Sequence, residues 1–164
     1  MGGMEIDFPQ LWKHVAAQFQ CGEWSLHGPT HWRRVEQNGL LLATRTQANV
    51  HVVRLFAIFH DSRRENEGTD PGHGARGAEL AESLRGDVYD LQDNEFELLR
   101  YACAWHTDGT THENATIASC WDADRLDLGR VGVRPDPDRM CTAFGREIAA
   151  AGSVERFLEK AESD

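Results

Sequence analysis

The stretch Asn49–Asp61, NVHVVRLFAIFHD, decides how the chain is read. Val50, Val52, Val53, Leu55, Phe56, Ala57, Ile58 and Phe59 leave almost no polar face on a helix spanning about 49–60. A helix that is apolar all round belongs at the centre of a fold. This one stops abruptly at His60-Asp61. Ionisable groups at the end of the most buried element are costly unless something compensates them. A helix C-cap or an ordinary ion pair would do so. A bound cation is the sharper reading, because side chains that project ~100° apart within a helix can still converge on one ion at its end.

Helical periodicity continues on both sides, and no alternating run bounded by hairpin turns interrupts it. Upstream, a helix over about 9–20 carries Leu11, Val15 and Phe19 on one stripe. A second helix opens at Gly28-Pro29-Thr30, where proline suits the first turn, and runs to about Thr46. Downstream, Ser62–Gly74 (SRRENEGTDPGHG) is polar and glycine-rich and reads as a loop. Helices follow over about 75–84, 93–106 and 114–128, the last with Asn114 as N-cap and Gly129 as stop. The tail from Pro137 to Ala161 reads as two or three short helices broken near Gly145 and Gly152. The expectation is an all-α bundle around a central buried helix. It forms one domain over 1–164, with its core at about 25–130 and the helices of 137–161 appended.

The 164 residues are enough for one such core, and 40% apolar with 27% charged residues is an ordinary globular mix. The net charge of -10 argues against nucleic acid polymers and anionic membranes as partners. A small anionic molecule is compatible with that charge where arginines gather locally. No apolar run reaches the length of a membrane span. Met1–Asp7 has neither the basic nor the apolar region of a signal peptide. Four cysteines without CxxC spacing read as reduced thiols, so the expected location is the cytoplasm. The five tryptophans read mainly as core.

Three other helices offer partners for His60 and Asp61. His31 shares a face with Val35 and Leu42 and so points inward. Phe96, Leu99, Cys103 and His106 fall at i, i+3, i+7 and i+10, which puts His106 on an apolar stripe at a helix end. Asp124 shares its face with Ile117, Cys120, Trp121 and Leu128. Asp122 reads as more easily solvated, Asp127 as lying on the flank, and Arg125 as a surface ion-pair residue. His31, His60, Asp61 and Asp124 together offer two imidazoles and two carboxylates. That set suits one divalent ion such as Mn²⁺, Fe²⁺, Co²⁺, Ni²⁺ or Zn²⁺, and Mg²⁺ less comfortably.

The pattern of His31 in HxxRV, then His60-Asp61, then DADRLD (Asp122–Asp127) resembles the HD-domain superfamily of metal-dependent phosphohydrolases. The resemblance covers about residues 25–130. It implies a helical fold with a metal held by His31, His60, Asp61 and Asp124. It also implies hydrolysis of a small phosphorylated, nucleotide-like molecule by a metal-activated water that Asp61 orients. Arg64 and Glu65 stand where alarmone-hydrolysing members carry an acidic pair, and the GYP motif of the cyclic-dinucleotide branch is absent. A di-iron oxygenase of this superfamily needs two more histidines, and His73, only 13 positions after His60 and in the loop, makes one ion the expectation. A non-catalytic nucleotide-sensing module is the alternative from another class.

Around the dyad, Arg63, Arg64, His73 and Arg76 are candidate substrate-binding residues, since arginine forks suit phosphate oxygens and a helix N-terminus favours anions. The plainer reading is a solvated loop whose arginines pair with Glu65, Glu67 and Asp70. His27, four residues before His31, is a candidate substrate neighbour or an N-cap element. Arg34 is read as holding a carboxylate, Asp61 or Asp124, in place. His106 has three readings: core histidine, catalytic partner of the leaving group, or ligand of a second metal. The segment after Met140 covers the bundle or forms a homodimer face.

Overall fold

A computed structural model of the chain describes residues 5–163. Met1–Met4, part of the stretch read as lacking a signal peptide, and Asp164 lie outside the described residues. Among the described residues there are eight α-helices: α1 (Phe8–Ala16), α2 (Pro29–Thr46), α3 (Val50–Phe59), α4 (His73–Leu84), α5 (Asp93–Trp105), α6 (Ala115–Arg125), α7 (Ala143–Ala151) and α8 (Glu155–Ser163). Two 3₁₀ turns, Leu128–Val131 and Pro137–Arg139, lie between α6 and α7. There is no strand among the described residues, and none of their helices is long and apolar enough to cross a membrane.

Helix α3 is the axis. Every residue from Val52 to Phe59 is buried except half-buried Arg54, and the helix packs against α1, α2, α4, α5 and α6. Its start is locked by Asn49, whose side-chain oxygen caps Val52 N while its amide donates to Glu95 of α5. Asn49 N also donates to Thr116 Oγ1 of α6. With one end so held by α5 and α6, the other delivers His60 and Asp61 into the interior, where both are at most 3% exposed.

Helix α4 begins earlier than the sequence pattern indicates, at His73 rather than Ala75. Gly74 and Gly77, three residues apart, let it close on its neighbours. A Cβ on Gly77 would press into the Phe59 carbonyl oxygen of α3, and one on Gly74 would lie 2.6 Å from the Cys103 carbonyl of α5. This close approach turns the loop histidine His73 into an interior residue.

Several sequence expectations are corrected. Asp122 is fully buried rather than solvated, accepting from Cys141 N (2.7 Å), Thr142 N (2.9 Å) and Thr142 Oγ1 (2.7 Å). It thereby stitches the start of α7 to α6, and burial pushes its carboxyl pKa up. Arg125 is a clamp on the carbonyls of Gly109, Thr110 and Arg139 instead of a surface ion-pair partner. Gly145 lies inside α7, so the tail breaks at Met140–Thr142 before that helix and at Gly152, whose φ of +84° ends it. Trp32 and Trp121 are core, whereas Trp24 and Trp105 are exposed. All four cysteines are free thiols.

Glycine inside a helix ordinarily gives way to alanine with a gain in stability. At Gly77 the sign should reverse: Gly77→Ala is expected to lose about 1–3 kcal/mol by urea denaturation. Gly129→Ala, where a Cβ meets open space, should change stability by no more than about 0.5 kcal/mol.

Candidate metal centre

Four imidazoles meet at the end of α3, and each commits its Nδ1 to a fixed acceptor. His31 Nδ1 pairs with Asp127 Oδ2 at 2.6 Å. His60 Nδ1 lies 3.0 Å from Phe56 O and 3.1 Å from Ala57 O. His73 Nδ1 pairs with Asp70 O at 2.6 Å, and His106 Nδ1 with Cys103 O at 2.7 Å. Carbonyl and carboxylate oxygens only accept, so the network assigns the proton of each ring to Nδ1. In the neutral ring, Nε2 is then a bare lone pair.

Those lone pairs point at each other. Nε2 of His31 and of His60 are 3.2 Å apart, and those of His73 and His106 are 2.9 Å apart. Asp61 joins both groups. Its Oδ2 is 3.3 Å from His31 and 3.5 Å from His60, while its Oδ1 is 3.2 Å from His73 and 3.3 Å from His106. Asp124 Oδ1 completes the first group, 3.1 Å from His31 and 3.4 Å from His60, and is buried without a hydrogen-bond partner. His31, His60, Asp61 and Asp124 form one set of donor atoms within 4.8 Å of each other; Asp61, His73 and His106 form a second.

A nest of acceptors needs a proton or a cation at its centre. With protons alone, burial pulls the His31 pKa down, but the Asp124, Asp127 and Asp61 carboxylates outweigh it and raise it to about 10. Burial would raise Asp61 and Asp124, yet the surrounding histidines hold both well below the usual carboxylate range. A divalent cation fits better. Ligand bonds of about 2.1 Å place neighbouring donors roughly 3.0–3.4 Å apart in octahedral or tetrahedral arrangements, close to the separations here. Imidazole nitrogen with carboxylate oxygen is also the donor set of first-row divalent ions.

The sequence-predicted residues divide into two groups. His31, His60, Asp61 and Asp124 come together. His106 comes to the same place, and so does His73, which leaves the loop assigned to it as a substrate-binding residue. His27 stands beside Asp61, its Nδ1 3.6 Å from Oδ2. The arginines do not gather there. Arg63 donates to Gln18, and Arg64 to the carbonyls of Asn66 and Gly68. Arg76 donates to Arg63 O and Asp70, with Glu65 3.6 Å away. Only Arg76 pairs with loop carboxylates as the plainer reading has it; Arg64 closes the loop through its carbonyls, and Arg63 reaches Gln18 beyond the end of α1. Arg63 and Arg76 line a 340 Å³ cavity in which Glu65 and Glu79 balance their charge.

The residue that sequence reasoning passed over is Asp127. It lies three positions after Asp124 and so on nearly the same helical face, a signal available in the sequence. It takes the His31 proton on Oδ2, while Oδ1 accepts from Arg34 Nε at 2.7 Å. Arg34 thus holds Asp127, rather than Asp61 or Asp124.

No protein-family profile matches the chain, and no curated protein is similar to it. The structure is similar to a crystal structure described as a predicted HD superfamily hydrolase from an uncultured Thermotogales bacterium. The TM-score is 0.72 at 23% identity, and the match covers 96% of this chain and 91% of that one. The chain has the HD-domain fold. In this HD fold the dyad at the end of α3 sits where α2, α4, α5 and the α6 terminus all deliver a side chain.

Asp127→Asn keeps the shape of the side chain and removes its charge. Outer carboxylates of this kind hold the ligand histidine in its tautomer. The substitution is expected to weaken Co²⁺ or Mn²⁺ binding about 10–100-fold with the helical circular dichroism unchanged; full affinity would show that His31 needs no such support. Loading the wild-type protein near neutral pH should also release about one proton per chain, from His31. Calorimetry in buffers of different ionisation enthalpy reads that release, and apparent affinity should fall as pH falls.

Proposed function

We propose that this HD-fold chain is a metal-dependent phosphohydrolase acting on a small phosphorylated, nucleotide-like molecule. The observation that carries the reading is the pair of acceptor nests sharing Asp61. Six side chains present lone pairs to two points, an arrangement that costs stability unless it serves cation binding. His31, His60, Asp61 and Asp124 would hold one ion, and Asp61, His73 and His106 a second. When bound, such ions lower the pKa of water and polarise a phosphoryl oxygen.

The side chains have separable roles. Asp61 sets the spacing of the two nests by giving one oxygen to each. Asp127, Asp70 and the carbonyls of Phe56, Ala57 and Cys103 keep the four rings aimed inward. His106 has Nδ1 engaged and Nε2 inside a nest, so we assign it to the ligands in place of the leaving-group role. Asp124 is the ligand nearest solvent, its side chain 16% exposed against 0% for His31 and His60. Substrate approaches from that side.

A second reading draws support from the same second nest. Four imidazoles and two carboxylates on two ions also suit a di-iron oxygenase, the branch against which the loop position of His73 in the sequence argues. A sensing module that binds a nucleotide without turnover would use the same cleft.

Elemental analysis of the loaded protein should give two ions per chain, falling to one in His73→Ala or His106→Ala. A phosphate-release screen over nucleotides and sugar phosphates with Mn²⁺, Co²⁺ or Mg²⁺ tests the reaction. Release that chelation abolishes is the expected outcome. Oxygen consumption by the iron-loaded protein, without phosphate release, would favour the oxygenase. Binding without either would favour the sensor.

A further inference from the structure

The imidazole of His27 belongs to neither nest and yet faces one of them. Its Nδ1 lies 3.6 Å from Asp61 Oδ2, beyond hydrogen-bond distance, and is buried with no hydrogen-bond partner. The four ligand histidines each anchor the ring through Nδ1; His27 leaves that atom unspent. Native structures rarely bury a polar atom without a partner, and such orphans call for a ligand that satisfies them.

The backbone beneath the ring is held firmly, which makes an idle side chain a poor account of it. His27 O accepts from Trp32 Nε1 at 2.7 Å, and His27 N donates to Ser25 Oγ at 3.0 Å. Ser25 Oγ and Leu26 N both donate to Glu67, at 2.7 and 2.8 Å, and Leu26 O accepts from Arg130 Nε at 2.9 Å. The segment entering α2 is therefore clasped on one side by the loop after the dyad and on the other by the turn after α6. The side chain it presents is 12% exposed, like Asp124 and unlike the sealed rings of His31 and His60. His27 and Asp124 mark the mouth of the first nest.

We infer that His27 contacts the substrate: its Nδ1 hydrogen-bonds to an oxygen of the phosphoryl group that enters the mouth of the His31–His60–Asp61–Asp124 nest. The inference rests on the phosphohydrolase reading and adds to it a binding group outside the metal ligands. It also accounts for the clasp, because a ring that grips substrate must be held in place before substrate arrives.

Inorganic phosphate is the probe. Its affinity for the Mn²⁺-loaded protein, by calorimetry, should fall about ten- to a hundredfold in His27→Ala. The Mn²⁺ content and Mn²⁺ affinity should stay at wild-type values. His27→Asn, which places an amide nitrogen near the position of Nδ1, should recover part of the loss and guards against a folding defect in the alanine variant. Equal phosphate affinity in wild type and both variants overturns the inference. Loss of Mn²⁺ from His27→Ala or His27→Asn overturns it too, since His27 would then be a metal ligand. A wild-type protein that takes up no metal, or releases phosphate from no ester, defeats the phosphohydrolase reading itself and the inference with it.

Discussion

The centre of this molecule depends on four hydrogen bonds that look incidental. Each donates the Nδ1 proton of a histidine to an oxygen that cannot move: a main-chain carbonyl one turn back, the loop carbonyl of Asp70, or the Asp127 carboxylate. Once Nδ1 is committed, a neutral ring can offer only a lone pair at Nε2. The positions of those oxygens therefore decide that four lone pairs, with two carboxylates, converge inside the protein. The result is electrostatically untenable without positive charge, and its donor spacings suit divalent ions. Cation binding at such a cluster would follow from tautomer control as much as from the identity of the donor residues.

The packing serves that arrangement. Helix α3, apolar but for His51 and Arg54, packs against five other helices, so the dyad at its end is desolvated and every interaction there is strengthened by the low dielectric. Asn49 fixes where α3 begins, and hence where it ends, by tying its first turn to α5 and α6. Gly74 and Gly77 let α4 come closer to α3 and α5 than any residue with a Cβ would permit. That approach is what carries His73 to within 2.9 Å of His106. Away from the centre, charges are used as fasteners: Asp122 and Arg125 hold the α7 segment against α6, and Glu67 and Arg130 clasp the segment that bears His27.

Much of this was legible in the chain itself, for physical reasons that apply locally. Periodicity near 3.6 marks α2, α3, α5 and α6, and an all-round apolar stretch ending in two ionisable residues marks the centre. His31 and Asp124 could be picked out because each lies on an apolar helical stripe, where an unpaired polar group is costly. The cap at Asn114 follows from side-chain chemistry. The departures have equally local causes. Asp122 and Arg125 looked solvent-facing because their partners, at 109–110 and 139–142, lie in the connections on either side of α6, beyond the reach of helical periodicity. Gly145 looked like a break, yet it is the small residue that lets Asp122 reach the start of α7.

What the amino-acid sequence determined alone was the helical class, the buried axis and a donor set around His60 and Asp61, because periodicity and the cost of burying charge act within a few residues. What only the tertiary structure decided was the second nest, the partner of His31 and the unspent nitrogen of His27. Each of these depends on where oxygen and nitrogen atoms from distant parts of the chain come to rest, to within tenths of an ångström. Spacing along the backbone carries no record of such distances. His73 shows the difference: 13 positions after His60 it reads as part of a polar loop, and two glycines on the next turns of α4 bring it into the centre.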